Sequence, residues 1–240
     1  MNPLHQFQIH KLINLNLFGY DISFTNSSLC MLIVIVGLSC LFIAASRKST
    51  LIPTRLQAFV EFAYVMISDM VKENIGKEGK KYIPLIFAIF FFILGGNLLG
   101  MVPYSFTYTS HIIVTFGLAL GIMTVITIIG FKVHGLHFLK FFVPEGVPAL
   151  LVPLVVPIEV ISYLSRPLSL AVRLFANMLA GHTMLKVFAG FSITMSCWWC
   201  WGPLLVNILL TGFEIVVACL QAYVFAILSC LYLNDAINMH

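Results

Sequence analysis

Charge is scarce in this chain. Only 9% of its 240 residues are Asp, Glu, Lys or Arg, and 60% are hydrophobic, where a soluble domain carries about 25% charged residues. Mean hydropathy is +1.03. A water-facing surface cannot be built from that composition, so a soluble enzyme or nucleic-acid-binding domain is excluded. The net charge of +4 falls almost wholly on one side of the spans described below, a pattern of orientation rather than of nucleic-acid binding. An export signal is lacking too. Residues 1–28 have no basic start, apolar core and small-residue cleavage site, nor the Arg-rich amphipathic character of a mitochondrial presequence. The expectation is synthesis inside the compartment from which the chain inserts. Metal and cofactor chemistry has little to stand on. Cys30, Cys40, Cys219 and Cys230 lie in apolar runs and read as small core residues. Cys197 and Cys200 stand in a Trp-rich turn without the two further ligands that zinc would need. The Asn26-Ser27-Ser28 sequon reads as idle, no internal repeat is visible, and no cofactor, metal or nucleotide is expected.

What is present is a series of apolar runs forming a single all-α membrane domain over 1–240. Residues 1–28 make an outer segment, and the first span covers 29–46, ending at Arg47-Lys48. Over 53–81, Arg55, Glu61, Asp69, Lys72, Glu73, Lys77, Glu78, Lys80 and Lys81 alternate with apolar residues, which predicts an interfacial amphipathic helix and inner loop. Residues 82–131 predict a helical hairpin that turns at Pro103. From 147 to 190 no soluble loop intervenes; some 43 residues of helix run about 65 Å, where about 20 residues suffice to span. The run at 203–236 is also too long for an upright span. Pro167 stands between Arg166 and Leu168 with no turn residue beside it, so a kinked, tilted helix is expected rather than two spans with a turn there. The last two helices then form a long antiparallel hairpin, and the membrane segments number about five. Nine basic residues (47, 48, 55, 72, 77, 80, 81, 132 and 140) share one side, and Lys11 alone lies on the other. The basic side is the inner one, which puts the N-terminus outside and His240 inside.

Within the long runs lies a polar constellation. Glu159, Ser162, Arg166, Ser169, Arg173 and Asn177 recur at intervals of three or four and share one helix face. His182, nine residues beyond Arg173, faces the other way. On the last run Glu214, Gln221 and Asp235 share a face. Residues at equal depth in an antiparallel pair have a constant sum of numbers. That sum is 394 for Arg173 with Gln221 and for Glu159 with Asp235, and 396 for His182 with Glu214. The expected pairs are therefore Glu159–Asp235 near the inner side, Arg173–Gln221 at mid-depth and His182–Glu214 toward the outer side. A charge such as Arg173 costs several kcal/mol at membrane depth, about 2.5–3.5 on insertion scales. The bland reading is a set of polar groups that satisfy one another and hold the hairpin. Titratable groups near each face, with one permanent cation between them, favour a proton path.

These residues carry a resemblance. Asn97-Leu-Leu-Gly-Met-Val-Pro-Tyr-Ser-Phe-Thr-Tyr-Thr-Ser-His111, Ser165 to His182, and Glu214 through Leu220-Gln221-Ala222-Tyr223 are similar to motifs of subunit a of F-type ATP synthases, in the alphaproteobacterial and mitochondrial form. The resemblance runs through nearly the whole chain. It implies a non-nucleotide-binding stator subunit in a rotary motor, beside a ring of c subunits that each carry one buried carboxyl group, with peripheral-stalk b subunits as further partners in an energy-coupling membrane. The bacterial inner membrane is favoured over the mitochondrial one. It also implies that Arg173 faces the ring carboxylate, that His182 and Glu214 line the proton inlet, that Glu159 lines the outlet, and that Asn177 and Gln221 lie near the arginine. Asp235 is assigned to the path by its register. A proton-coupled secondary transporter is the alternative, although such folds usually bring internal repeats and broken helices.

Overall fold

The computed structural model describes residues 9, 11–14, 16–17, 20–21, 23–47, 53–102, 105–135, 137–138, 151–194 and 201–238. Lys48, Pro103, Lys140, the 147–150 start of the long run, the Cys197-Cys200 turn and His240 lie outside them. Among the described residues the fold is six α-helices preceded by four short strands. The strands are β1 (Lys11–Ile13), β2 (Asn16–Leu17), β3 (Tyr20–Asp21) and β4 (Phe24–Thr25). They form two small antiparallel pairs, β1 with β4 and β2 with β3. The sequence reading did not anticipate them, though the alternation of polar and apolar residues on both sides of Gly19 is a hairpin signal.

Helix α1 (Asn26–Arg47) begins where the Thr25 hydroxyl accepts from the Ser28 amide, an N-terminal cap. Helix α2 (Arg55–Ile75) is capped by Thr54, whose hydroxyl accepts from the Gln57 amide, and ends at Gly76 with φ 79°. That left-handed backbone suits glycine. A 3-10 turn, Lys77–Tyr82, leads into α3 (Ile83–Gly100). Then follow α4 (Ile112–His134), α5 (Val152–Thr194) and α6 (Trp201–Ile237). All the helices except α2 are long and apolar enough to cross a membrane, making five candidate spans. Helix α2 is amphipathic and buries Ala63, Ile67, Met70, Val71 and Ile75, while its charged Arg55, Glu61, Asp69, Lys72 and Glu73 stand exposed.

Helix α5 is continuous for 43 residues and passes through both Pro157 and Pro167. No turn divides it. At about 1.5 Å per residue it is some 65 Å long, so it keeps company with a ~30 Å hydrocarbon layer only by lying oblique.

Neighbouring contacts set the directions. Phe42 of α1 packs on Phe87 and Phe91 of α3, and the α4 hydroxyl of Thr127 meets Tyr163 of α5 at 2.6 Å. His134, ending α4, lies 2.8 Å from the Ile237 carbonyl that ends α6. Arg47, Lys77, Lys80, Lys81 and Lys132 thus gather at one end of the bundle, here called the basic end. Helix α6 is the hub, in contact with α2, α3, α4 and α5. Ala218, Ala222 and Ala226 recur every fourth residue on its buried face and are fully enclosed, a spacing of small residues that lets helix backbones come close. Of the cysteines, Cys230 is buried and Cys30 half-buried, whereas Cys40 and Cys219 are exposed on outward helix faces rather than serving the core.

Candidate functional site

The site is built on the α5–α6 seam, closed at the far end by the segment between α3 and α4. Leu170, Ala171, Leu174, Met178 and His182 form the buried face of α5. The stripe of Glu159, Ser162, Arg166, Ser169, Arg173 and Asn177 flanks that face and does not lie within it. Arg173 and Asn177 are exposed, and Glu159 and Arg166 half-buried. Arg173 makes no ion pair or hydrogen bond among the described residues. The exposed residues next to it on α5 are the polar Ser169 and Asn177, one turn to either side, and the apolar Val172 and Ala176. A guanidinium cannot lose its proton, so this is a fixed cation on an exposed helix face.

The far-end pair forms as expected. His182 Nδ1 stands 3.2 Å from Glu214 Oε1, both side chains deeply buried. The approach lacks hydrogen-bond alignment, and neither Glu214 oxygen has another polar partner among the described residues. Gly181 makes the fit possible, since a Cβ there would lie 2.6 Å from Glu214 Oε1. His182 Nε2 faces the Thr107 hydroxyl at 3.2 Å.

Two expected pairs are corrected. Gln221 Oε1 accepts from Asn177 Nδ2 at 2.9 Å, one turn from Arg173. Asp235 Oδ2 pairs with Arg166 at 3.1 Å, not with Glu159. Arg166 also lies over the rings of Tyr232 at 5.0 Å and Tyr163 at 5.7 Å. A constant-sum register treats each side chain as a point level with its own Cα. Helical side chains instead lean toward their helix N-terminus. The two helices run oppositely, so the long Arg166 reaches toward the basic end to a residue farther along α6.

The sequence reading missed three contributors. Lys186, one turn beyond His182, is half-buried and lies toward the end opposite the basic one, so Lys11 is not the only basic residue away from the basic end. Asn97, fully buried, donates to the Ala218 carbonyl at 3.3 Å, and its own Oδ1 has no partner among the described residues. Its amide inside an apolar helix was the available signal. Thr107 stood inside the Asn97–His111 motif, but its partner was not legible there, because its contact with His182 spans 75 positions. The segment carrying Thr107 is tucked into the bundle. Tyr108 donates to the Phe92 carbonyl at 3.0 Å, and burial, with Cys30 nearby, raises its phenol above the ordinary value, so it stays a donor. Burial lowers the His111 imidazole, and the ring stacks on Phe106 at 5.1 Å.

From the far end inward the buried groups run Thr107, His182, Glu214, Asn97, Gln221, and then Asn177 leads out to Arg173. Buried polar atoms without partners call for water.

The sequence model of the family described as ATP synthase A chain matches residues 28–234. A protein called ATP synthase subunit a from Pelagibacter ubique is 54% identical, over 100% of this chain and 98% of its own length. Its namesake from Mesorhizobium japonicum is 53% identical over 99% of this chain and 97% of its own. That from Rhodospirillum rubrum is 53% identical over 100% and 99%.

Proposed function

The chain belongs to the ATP synthase A chain family, and from that premise we propose that it is the stator subunit that holds two proton half-channels against a ring of c subunits. It is a multi-pass membrane protein and a subunit of an ATP synthase complex. Protons enter from the far end past His182 and Glu214, with Asn177 and Gln221 next to the arginine, and reach a ring carboxylate at Arg173. After nearly a full turn of the ring they leave past Glu159 to the basic side. Asp235 stands at that end as the partner of Arg166. The basic end faces the cytoplasm of a bacterial inner membrane, with the N-terminus outside and the C-terminus inside. The c-ring and peripheral-stalk b subunits are its partners, and nucleotide chemistry happens elsewhere in the complex.

One observation carries this reading. Arg173 is a fixed cation on the exposed flank of α5, without a polar partner among the described residues, at the end of a buried polar line. A protonated ring carboxyl is neutral and can face lipid. An ionised one cannot, but it can pass a cation. Arg173 therefore draws the proton off at the interface and separates the two half-channels.

The test is Arg173→Ala in assembled complexes in inverted membrane vesicles, read by ATP-driven acidification. No acidification above background is expected, with passive proton leak unchanged or raised. Normal coupled pumping would sink the proposal.

A further inference from the structure

We propose that Thr107 is a positioning residue for the inlet, whose hydroxyl fixes the ring orientation and tautomer of His182 so that Nδ1 is the nitrogen offered to Glu214. The inference rests on the half-channel reading.

Thr107 is held from several directions. Its side chain is 1% exposed. Its carbonyl accepts from the Ser110 hydroxyl at 2.6 Å. The next residue, Tyr108, is anchored to α3 through the Phe92 carbonyl. Gly96 and Gly100 leave room for this segment; a Cβ at Gly100 would come within 2.5 Å of Thr107 Oγ1. The hydroxyl therefore has a set position and two neighbours, the Gly100 carbonyl at 3.4 Å and His182 Nε2 at 3.2 Å.

A hydroxyl has one hydrogen to give and lone pairs to accept with. Gly100 lies in the last turn of α3, where carbonyls lack intrahelical donors. Thr107 gives its hydrogen to that carbonyl and accepts from His182 Nε2–H. The neutral ring then carries its lone pair on Nδ1, 3.2 Å from Glu214 Oε1. A proton that comes in from the far end and is taken up at Nδ1 makes the ring an imidazolium. Once the pair swings into alignment, the N–H bond at Nδ1 breaks as an O–H bond forms at Oε1 of ionised Glu214, leaving the neutral ring, still protonated at Nε2, and a carboxylic acid that hands the proton inward. With the opposite tautomer, Nδ1 would already carry a hydrogen and could not take up the arriving proton without a ring flip. The hydrogen bond that one ring nitrogen makes decides which nitrogen keeps the proton, and a single such bond shifts that balance by about tenfold or less.

The experiment uses the whole complex in liposomes, with assembly checked by subunit composition. Thr107→Val should lower proton-driven ATP synthesis by up to about tenfold, and Thr107→Ser, which keeps the hydroxyl, should recover at least half of the wild-type rate. Solid-state 15N spectra of histidine-labelled complex, with His182 assigned by its loss in His182→Ala, should show the neutral ring protonated at Nε2 in the wild type and a mixture of tautomers in Thr107→Val. A neutral wild-type ring protonated at Nδ1 would overturn the inference even if the valine variant failed to assemble. So would an assembled valine variant at full rate, or a serine variant as impaired as valine. If Arg173→Ala abolishes pumping while any of these results holds, only the role of Thr107 is refuted; if Arg173→Ala pumps normally, the half-channel reading itself falls.

Discussion

The polar groups at the two ends of α5 are built in opposite ways. Toward the far end, the His182 and Glu214 side chains are 10% and 4% exposed, and Thr107, Asn97 and Gln221 are buried with them. Both oxygens of Glu214, the Gln221 amide nitrogen and the Asn97 amide oxygen find no hydrogen bond among the described residues. Toward the basic end, Glu159 and Arg166 are half-buried and the Asp235 side chain is 42% exposed. There the charge of Arg166 is answered at 3.1 Å and cushioned by two tyrosine rings. The first group leaves buried polar atoms for internal water to satisfy. The second borders open surface and answers its charge directly. Under the proposed half-channel function, the far-side route is threaded through protein and the basic-side route opens from the flank of α5.

This contrast orders the effects of substitution. The largest loss below that of Arg173 is expected at the buried pair. Glu214→Gln or His182→Ala should cut proton-driven ATP synthesis by on the order of tenfold or more with assembly intact, and the double variant should be no worse than the poorer single. Multiplying losses in liposome assays would mean that the two act on separate paths and would break the comparison. A middle effect is expected at Gly181→Ala. Its new methyl group meets the Glu214 carboxylate, an overpacking cost of about 1–3 kcal/mol. Synthesis should fall, and adding Glu214→Asp, which shortens the acid, should restore part of it. A Gly181→Ala enzyme with unchanged rate and thermal stability would show that the pair has room to move. The smallest effect is expected at Asp235→Asn, because partly exposed ion pairs contribute about 1 kcal/mol or less. Its melting temperature and synthesis rate should stay near those of the wild type. A greater loss there than at Glu214→Gln would reverse the contrast.

Much of the architecture was legible in the residues. The continuity of α5 followed from the missing turn chemistry around Pro167, and the His182–Glu214 pair from depth alone, since the two sit directly across the seam. The stripe of Arg173 was legible from its three-and-four spacing, but not the way it turns. Periodicity shows that residues share a face and does not say which neighbour, if any, covers it. The covering of α5 was decided by Leu170, Ala171, Leu174 and Met178, apolar residues like the many exposed ones around them. The Asp235 pairing was misjudged because Arg166 is long and leans along its helix. Thr107 was beyond reach because its place depends on how a short segment folds back onto α3.

The alanines of α6 have a consequence for how such a chain can drift over generations. Ala218, Ala222 and Ala226 carry no proton and touch no charge, yet each is fully enclosed in the most crowded helix of the bundle. Any larger side chain would lever neighbouring helices apart, and at Ala218 it would strain the carbonyl that Asn97 holds. The exposed apolar residues of α5 and α6 can exchange for one another at little cost to this subunit alone. Mutational freedom in this protein should therefore follow side-chain volume more closely than chemistry, with plain alanines among its least replaceable letters.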